Sequence, residues 1–467
     1  MRKSVFSAVS SWRLAVGLAL LVGAVAYLGF AVDRRITAQL FLAFGASFAG
    51  YGLLVYRPAA GQLRWLAGVG IALRLALVFA FPLLSDDVYR FLWDGYLIAA
   101  GHNPFAELPG YYLEAGRAVP GLTQELFDKL NSPEYYTIYP PVAQAVFTAA
   151  VWLFPTSWYG AAVVMKLFLF ACELGTLFLL WQLLREHGEA AGAQVQGDGR
   201  ESRVVGPANL LYYWLNPLII LEITGNLHFE GAMVFFLLLA YYFLRRSAWV
   251  RAAAAMAASV ASKLLPLLLL PYLIRRLWGR PFWVFSVAFG VCCLLFFAPL
   301  LLAPGFLSGF SSSLELYQQK FEFNASLYYL ARAVGYWWVG WNQIAVLGPF
   351  LAKVAAVGIL VLALLDGRGG WRSLPEGWLF AFVLYLLCAT TVHPWYLSVP
   401  LVLCCFTRWR FPLVWSAFIM LTYVSYATDP YQENLLLVGL EYGVVAVFAT
   451  YEYRRWRSGG RSATQHN

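Results

Sequence analysis

Charge is what this chain has least of. Of its 467 residues, 12% are Asp, Glu, Lys or Arg, about half the ~25% typical of soluble globular domains. Hydrophobic residues make up 61%, and no water-soluble fold of this size hides so much apolar surface. In lipid the composition is expected, because helices there satisfy their own backbone hydrogen bonds. Cysteine is scarce as well. Cys172, Cys292, Cys293, Cys388, Cys404 and Cys405 all lie inside apolar runs with no metal-ligand partner nearby, so they read as small apolar side chains rather than disulfides or a metal site. No internal repeat stands out, which speaks against a transporter built from inverted halves. A basic block is also missing. The net charge of +9 is spread over short clusters between apolar runs: Arg245, Arg246 and Arg251; Arg275, Arg276 and Arg280; Arg408 and Arg410; Arg454, Arg455 and Arg457. That distribution argues against a nucleic-acid partner and matches the positive-inside pattern of cytoplasmic loops.

What is present is a succession of apolar runs, from 14–31, 37–56 and 64–84 through to 435–451. They predict an all-α polytopic membrane protein, a single bundle of about 11–14 transmembrane helices over 1–457, with the lipid bilayer as its solvent and 458–467 as a short cytoplasmic tail. Met1-Arg2-Lys3 and the run behind it imitate a signal peptide, but 14–31 is long enough to span and reads as a retained anchor. The segment 85–140 is the large non-cytoplasmic loop, expected to hold short interfacial helices. It carries eight acids (Asp86, Asp87, Asp94, Glu107, Glu114, Glu125, Asp128, Glu134) against three bases (Arg90, Arg117, Lys129). With the arginine clusters in the cytoplasm, 85–140, 225–228, Lys263, 304–326 and 392–394 fall on the opposite side. Two full crossings between 141 and 184 would break this parity, so one of them is expected to fall short. Arg34 and Arg35 breach the charge rule weakly. The runs 250–262 and 264–274 read as two limbs meeting at Lys263, the second punctuated by Pro266 and Pro271.

Several polar residues on that side have both a bland and a chemical reading. Asp86-Asp87, directly after an apolar span, suits a solvated helix N-cap or a general base sharpened by partial desolvation and an adjacent negative charge. Tyr135, Tyr136 and Tyr139 suit an interfacial aromatic belt before a sugar-stacking surface. Asn226, His228 and Glu230 make either a polar turn or a grip on hydroxyls, and one His–Glu pair is too few ligands for a metal. Lys263 costs roughly 2.5–3.5 kcal/mol at mid-membrane. It either snorkels or meets a phosphate at the membrane surface. His393 sits in a kinked, aromatic turn that does not itself account for a histidine. Asn324 and Arg332 read first as interfacial polar residues. Their gathering on one face points to a site between the aqueous face and the bilayer.

In order along about 80–400, Asp86-Asp87-Val88-Tyr89-Arg90-Phe91-Leu92-Trp93-Asp94-Gly95, Ile138-Tyr139-Pro140-Pro141, Asn216-Pro217 with Gly225-Asn226-Leu227-His228, Ser262-Lys263-Leu264-Leu265-Pro266 and His393-Pro394-Trp395-Tyr396 resemble bacterial GT-C superfamily glycosyltransferases. The kinship is nearest to polyprenol-phosphate-mannose-type mannosyltransferases, among them relatives of PIG-M and the mycobacterial lipoglycan enzymes. The resemblance implies Asp86 as catalytic base with Asp87 assisting, and Lys263 (with Arg90) on the phosphate of a polyprenyl-phosphate sugar donor. It implies inverting transfer, of mannose by that kinship, to a hydroxyl of a glycan or lipid acceptor. Tyr139, Asn226, His228, Glu230, Asn324 and His393 would then contact substrate. No cofactor is required; some members of the superfamily use a divalent metal, and nothing here demands one. The site is expected on the extracytoplasmic face of the plasma (inner) membrane. Two features depart from the pattern: about three spans precede the acidic loop instead of one, and Glu230 stands where kin often carry Asp. The competing class is a transporter or flippase for a lipid-linked sugar, which has no need of paired external carboxylates.

Overall fold

Apolar runs become helices here wherever proline or glycine does not interrupt them. The computed structural model describes residues 2–195, 205–428 and 431–464. Among these it contains no β-strand, only an isolated bridge between Phe323 and Thr391. Six helices among the described residues are long and apolar enough to cross a membrane: Trp12–Phe30, Thr37–Val55, Trp158–Gly188, Arg280–Leu301, Ile344–Leu365 and Leu435–Ser458. Pro217–Gly225 and Glu230–Leu244 make a seventh if counted as one span, bent by 111°. The chain is therefore an all-α multi-pass membrane protein, with fewer full-length crossings by length and composition than the 11–14 expected.

The shortfall has a physical reason. Hydropathy registers apolar residues whether a helix crosses the bilayer or ends inside the protein. Pro141–Leu153 has 13 residues, about 20 Å at 1.5 Å per residue, against a hydrocarbon core of about 30 Å. It is the short member of the 141–184 pair. Pro394–Cys404 and Phe411–Ala427 are short apolar helices of the same kind. Trp158–Val195 carries its helix into the polar tract after 184, whose residues 196–204 lie outside those described. Leu435–Thr464 likewise runs through most of the expected tail. The acidic loop holds the short helices expected of it, including Gln124–Phe127, where the Thr123 hydroxyl accepts from the Leu126 N–H.

Charged groups buried among the helices fix the segment beneath the site. Arg74 pairs with Glu173 at 2.6 Å, both fully buried; the Thr224 hydroxyl donates to the same carboxylate. The Arg74 guanidinium also donates to the Trp214 carbonyl and lies over the Trp214 ring. Lys166 donates to the carbonyls of Leu77, Ala80 and Gly225, which lie at or just past the ends of Leu63–Val78 and Ile220–Gly225. The second apolar core binds the acidic loop to the bundle. Phe91 stacks on Phe147 at 4.4 Å, and Gly95 lets Asp87–Ala99 approach Pro141–Leu153 so closely that a Cβ there would stand 2.7 Å from the Phe147 carbonyl oxygen. That crossing sets Asp86 and Asp87 beside Tyr139.

The basic clusters pair with acids outside this loop. Arg245 pairs with Glu186, Arg276 with Asp366, and Arg408 with Glu376, which also binds Arg368.

Candidate active site

A cavity of about 220 Å³ opens between the acidic loop and the bundle, and six separate stretches line it. The loop supplies Asp86, Asp87, Arg90, Asn131 and Tyr139. The break after Trp249–Ser262 supplies Lys263, and the remaining walls bring Arg34, Phe321, Phe323, Thr391, His393, Trp395, Tyr426 and Tyr431. Four of the five segments assigned to one side from charge alone thus line one cavity; 225–228 does not.

The two aspartates are treated differently. Asp86 occupies the N-cap position of Asp87–Ala99 but makes no capping hydrogen bond with its side chain. Its carboxylate is held by Arg34 at 2.5 Å. Asp87, in the first turn where the helix end favours negative charge, accepts from the Asn131 amide at 2.7 Å and from the Tyr139 hydroxyl at 3.3 Å. The His228 Nε2 lies 3.8 Å from the same carboxylate oxygen that accepts from Tyr139. Arg34, a weak exception to the charge rule in the sequence, is a wall of the cavity.

Arg90 lines the cavity but is committed to the loop itself. It bonds Asp94 at 2.8 Å and the carbonyl of Tyr135 at 2.8 Å, while Asp94 also accepts from Thr137 and Gln144. Lys263 closes the helix Trp249–Ser262 in an extended conformation, so its side chain leaves the helix surface. Its Nζ pairs with the buried Glu230 at 2.8 Å and lies under 6 Å from the rings of Tyr139 and Tyr396. Lys263 also lines a second pocket of about 210 Å³, whose wall is mostly apolar, with Leu264, Leu265, Gly348, Ala352, Ala355, Cys388 and Ala389 beside Tyr385 and Thr390. Ile138, Lys263, Thr391 and Tyr396 belong to both pockets.

His393 faces the cavity in a stack, 4.5 Å from Trp395 and 4.9 Å from Phe323. Burial, with His228 and Lys263 nearby, pushes its pKa down to about 3, so it is neutral at physiological pH. Its Nδ1 has no hydrogen-bond partner among the described residues. Trp395 presents its other contact to His228, stacked at 3.6 Å.

Asn226, His228, Glu230 and Asn324 are not among the residues lining the cavity. Asn226 braces its rim, accepting from the Leu84 N–H. Glu230 lies beneath Lys263 and His228 beneath Asp87. Asn324 is buried, its backbone N–H donating to Glu433 and its amide to Glu441; its φ of +48° turns the chain so that Phe323 faces the cavity while Ala325 and Ser326 face the other way. Tyr426, Tyr431, Asn131 and Glu222 went unnoticed in the sequence. Tyr and Asn in an aromatic membrane chain carry no signal of their own, but Glu222 inside an apolar run did. Among the described residues no cluster of three or more His, Cys, Asp or Glu is arranged to hold a metal.

No curated protein matches the chain significantly. Residues 2–279, more than half of the chain and all of it from the first helix to beyond the Lys263 break, match the family described as alpha-(1->6)-mannopyranosyltransferase, N-terminal domain, and the chain belongs to that mannosyltransferase family.

Proposed function

We propose that this mannosyltransferase is of the GT-C type and moves mannose, with inversion, from a polyprenyl-phosphate donor to an acceptor hydroxyl, with Asp87 as the base. The observation that carries this reading is the place of Lys263, at the junction of a polar cavity and an apolar pocket. A lipid-phosphate sugar has the matching order of parts: sugar, anion, hydrocarbon. The sugar enters beside Asp87, the phosphate meets the ammonium, and the first isoprene units lie along Leu264, Leu265 and Ala352. Glu230 holds the ammonium at the junction.

Asp87 takes the base role because Asp86 is occupied by Arg34. The acceptor oxygen attacks the anomeric carbon as Asp87 removes its proton. The bond to the phosphate oxygen breaks on the opposite face, and Lys263 offsets the charge that develops there. Phosphate leaves without general-acid help. His393 and Tyr139 contact the sugar. The basic clusters face the cytoplasm by the positive-inside rule, which supports a cavity on the extracytoplasmic side of the inner membrane.

The test uses purified protein with polyprenyl-phosphate mannose, or in parallel a nucleoside-diphosphate mannose, and an α-mannoside acceptor. Transfer from the lipid donor alone, with inverted anomeric configuration by NMR, is the expected result. Transfer from the nucleotide sugar alone, or passage of the lipid across a liposome membrane with no sugar transferred, defeats the proposal.

A further inference from the structure

Behind Asp87 lies a buried imidazole–carboxylate pair that substrate cannot reach. His228 is 2% exposed and Glu222 is not exposed at all. Glu222 sits in a π-helical turn, Ile220–Gly225, an irregularity frequent at functional sites. Leu227, just before His228, holds a φ of +68°, a conformation a branched apolar residue keeps only where the surroundings impose it. The chain accepts strain in order to set the imidazole where it is.

The hydrogen bonds decide the tautomer. His228 Nδ1 lies 2.8 Å from the Glu222 carbonyl oxygen and 3.2 Å from its carboxylate. A carbonyl only accepts, so Nδ1 carries a proton, and Nε2 is the ring nitrogen through which a proton can be taken up or released. Nε2 has no hydrogen-bond partner among the described residues and faces the Asp87 carboxylate at 3.8 Å. The two atoms confront each other across a gap that one shared proton would bridge. The arrangement is satisfied once Asp87 has taken a proton.

We infer that His228 and Glu222 form a proton relay behind Asp87, in which the proton removed from the acceptor hydroxyl passes from Asp87 to His228 Nε2. This rests on the base role given to Asp87 above. The acceptor oxygen uses its electron pair to form the new glycosidic bond, and the old C–O pair leaves with the phosphate. The hydroxyl proton goes to Asp87 and then to the imidazole. The imidazolium is compensated by Glu222, whose other oxygen accepts from Tyr423 at 2.5 Å. When product leaves, the proton returns through Asp87 to water.

The other groups around the imidazole do not compete for that role. Trp395 covers one face, and His393 beyond it is neutral. Lys263 is engaged by Glu230, and Arg34 by Asp86.

The experiment is chemical rescue of His228→Gly with a series of imidazoles of graded basicity, read as the single-turnover rate of mannose transfer from polyprenyl-phosphate mannose. The variant is expected to lose at least about tenfold in rate. Added imidazole restores it, and the restored rate rises with the basicity of the imidazole. Glu222→Gln, which keeps the size of the side chain, loses rate with KM for the donor unchanged. Rescue that ignores basicity, or a His228→Gly variant that elutes as a monodisperse peak and keeps full rate, overturns the relay. Failure of the relay is separable from failure of the base assignment: an active Asp87→Asn enzyme removes the base, whereas an inactive one beside a fully active His228→Gly removes the relay alone.

Discussion

Asp86 and Asp87 are one position apart in the chain and have different partners in space. Adjacent residues at a helix start point about 100° apart, so one carboxylate turns to Arg34 and the other to Asn131, Tyr139 and His228. The consequence is a measurable asymmetry. Asp87→Asn is expected to lower kcat by about 10²–10⁴-fold, the usual worth of a general base, with donor KM little changed. Asp86→Asn is expected to act mainly through the Arg34 contact and to lose less. Steady-state kinetics on the two variants, prepared side by side, check this; equal losses would remove the distinction. Lys263 calls for the opposite pattern. Lys263→Met keeps the stem and deletes the charge, so donor affinity falls. A charge-assisted hydrogen bond contributes roughly 1.5–3 kcal/mol, about ten- to 150-fold in the donor Kd. Titration with the unreactive polyprenyl phosphate measures it free of chemistry.

At the scale of elements, the site depends on two features that put helices where they are. Gly95 is the first. An alanine there meets the Phe147 backbone, which cannot swing aside as a side chain does, so Asp87–Ala99 must lift from Pro141–Leu153 and carry Asp87 away from Tyr139. Gly95→Ala is expected to cost about 1–3 kcal/mol and to lower activity as well, read by thermal unfolding and by turnover of the same preparation. The turn at Asn324 is the second. Burial pushes the pKa of Glu433 up to about 7, although the Asn324 N–H opposes the rise. A carboxyl raised in the folded state stabilises it fully below the unfolded value near 4.5, and that contribution fades as pH climbs towards about 7. The unfolding midpoint is therefore expected to fall across that window, and Glu433→Gln, which keeps the acceptor for Asn324, to flatten the fall. These elements also show how far the sequence could be read. The break at Lys263 was legible because a lone lysine between apolar runs, followed by prolines, has few other uses in lipid. Arg34 was visible only as an exception to a charge rule, since its reason is a partner 52 residues away. Asn324 was noticed for its polarity, but its contacts lie with Glu433 and Glu441, far along the chain. The short helices were counted as spans because apolar composition does not record where a helix stops.

At the scale of the whole molecule, the cavity sits on a polar framework threaded through apolar packing. Arg74, Glu173, Thr224 and Lys166 tie Leu63–Val78, Trp158–Val195 and the π-helical turn together. The turn in turn carries Glu222 and, through Asn226, the rim at Leu84. Hydrophobic packing is non-directional and cannot by itself fix one rotation of these helices; a bidentate guanidinium–carboxylate pair can. Removing one partner leaves the other charge buried and unpaired, at a cost of about 3–5 kcal/mol. Glu173→Gln and Arg74→Met are each expected to lower the unfolding midpoint in detergent sharply. Replacing both removes the stranded charge, so the double variant should recover much of the stability, because a neutral pair of similar volume carries no desolvation cost for a buried charge. If the pair serves only stability, activity returns with it. If it fixes the rotation that sets the Glu222–His228 turn beneath Asp87, the double variant folds with a near-normal midpoint and still transfers mannose slowly. Framework and chemistry are coupled through one turn, so the second outcome is the one expected, and a double variant with both midpoint and turnover restored would show that packing alone places the turn.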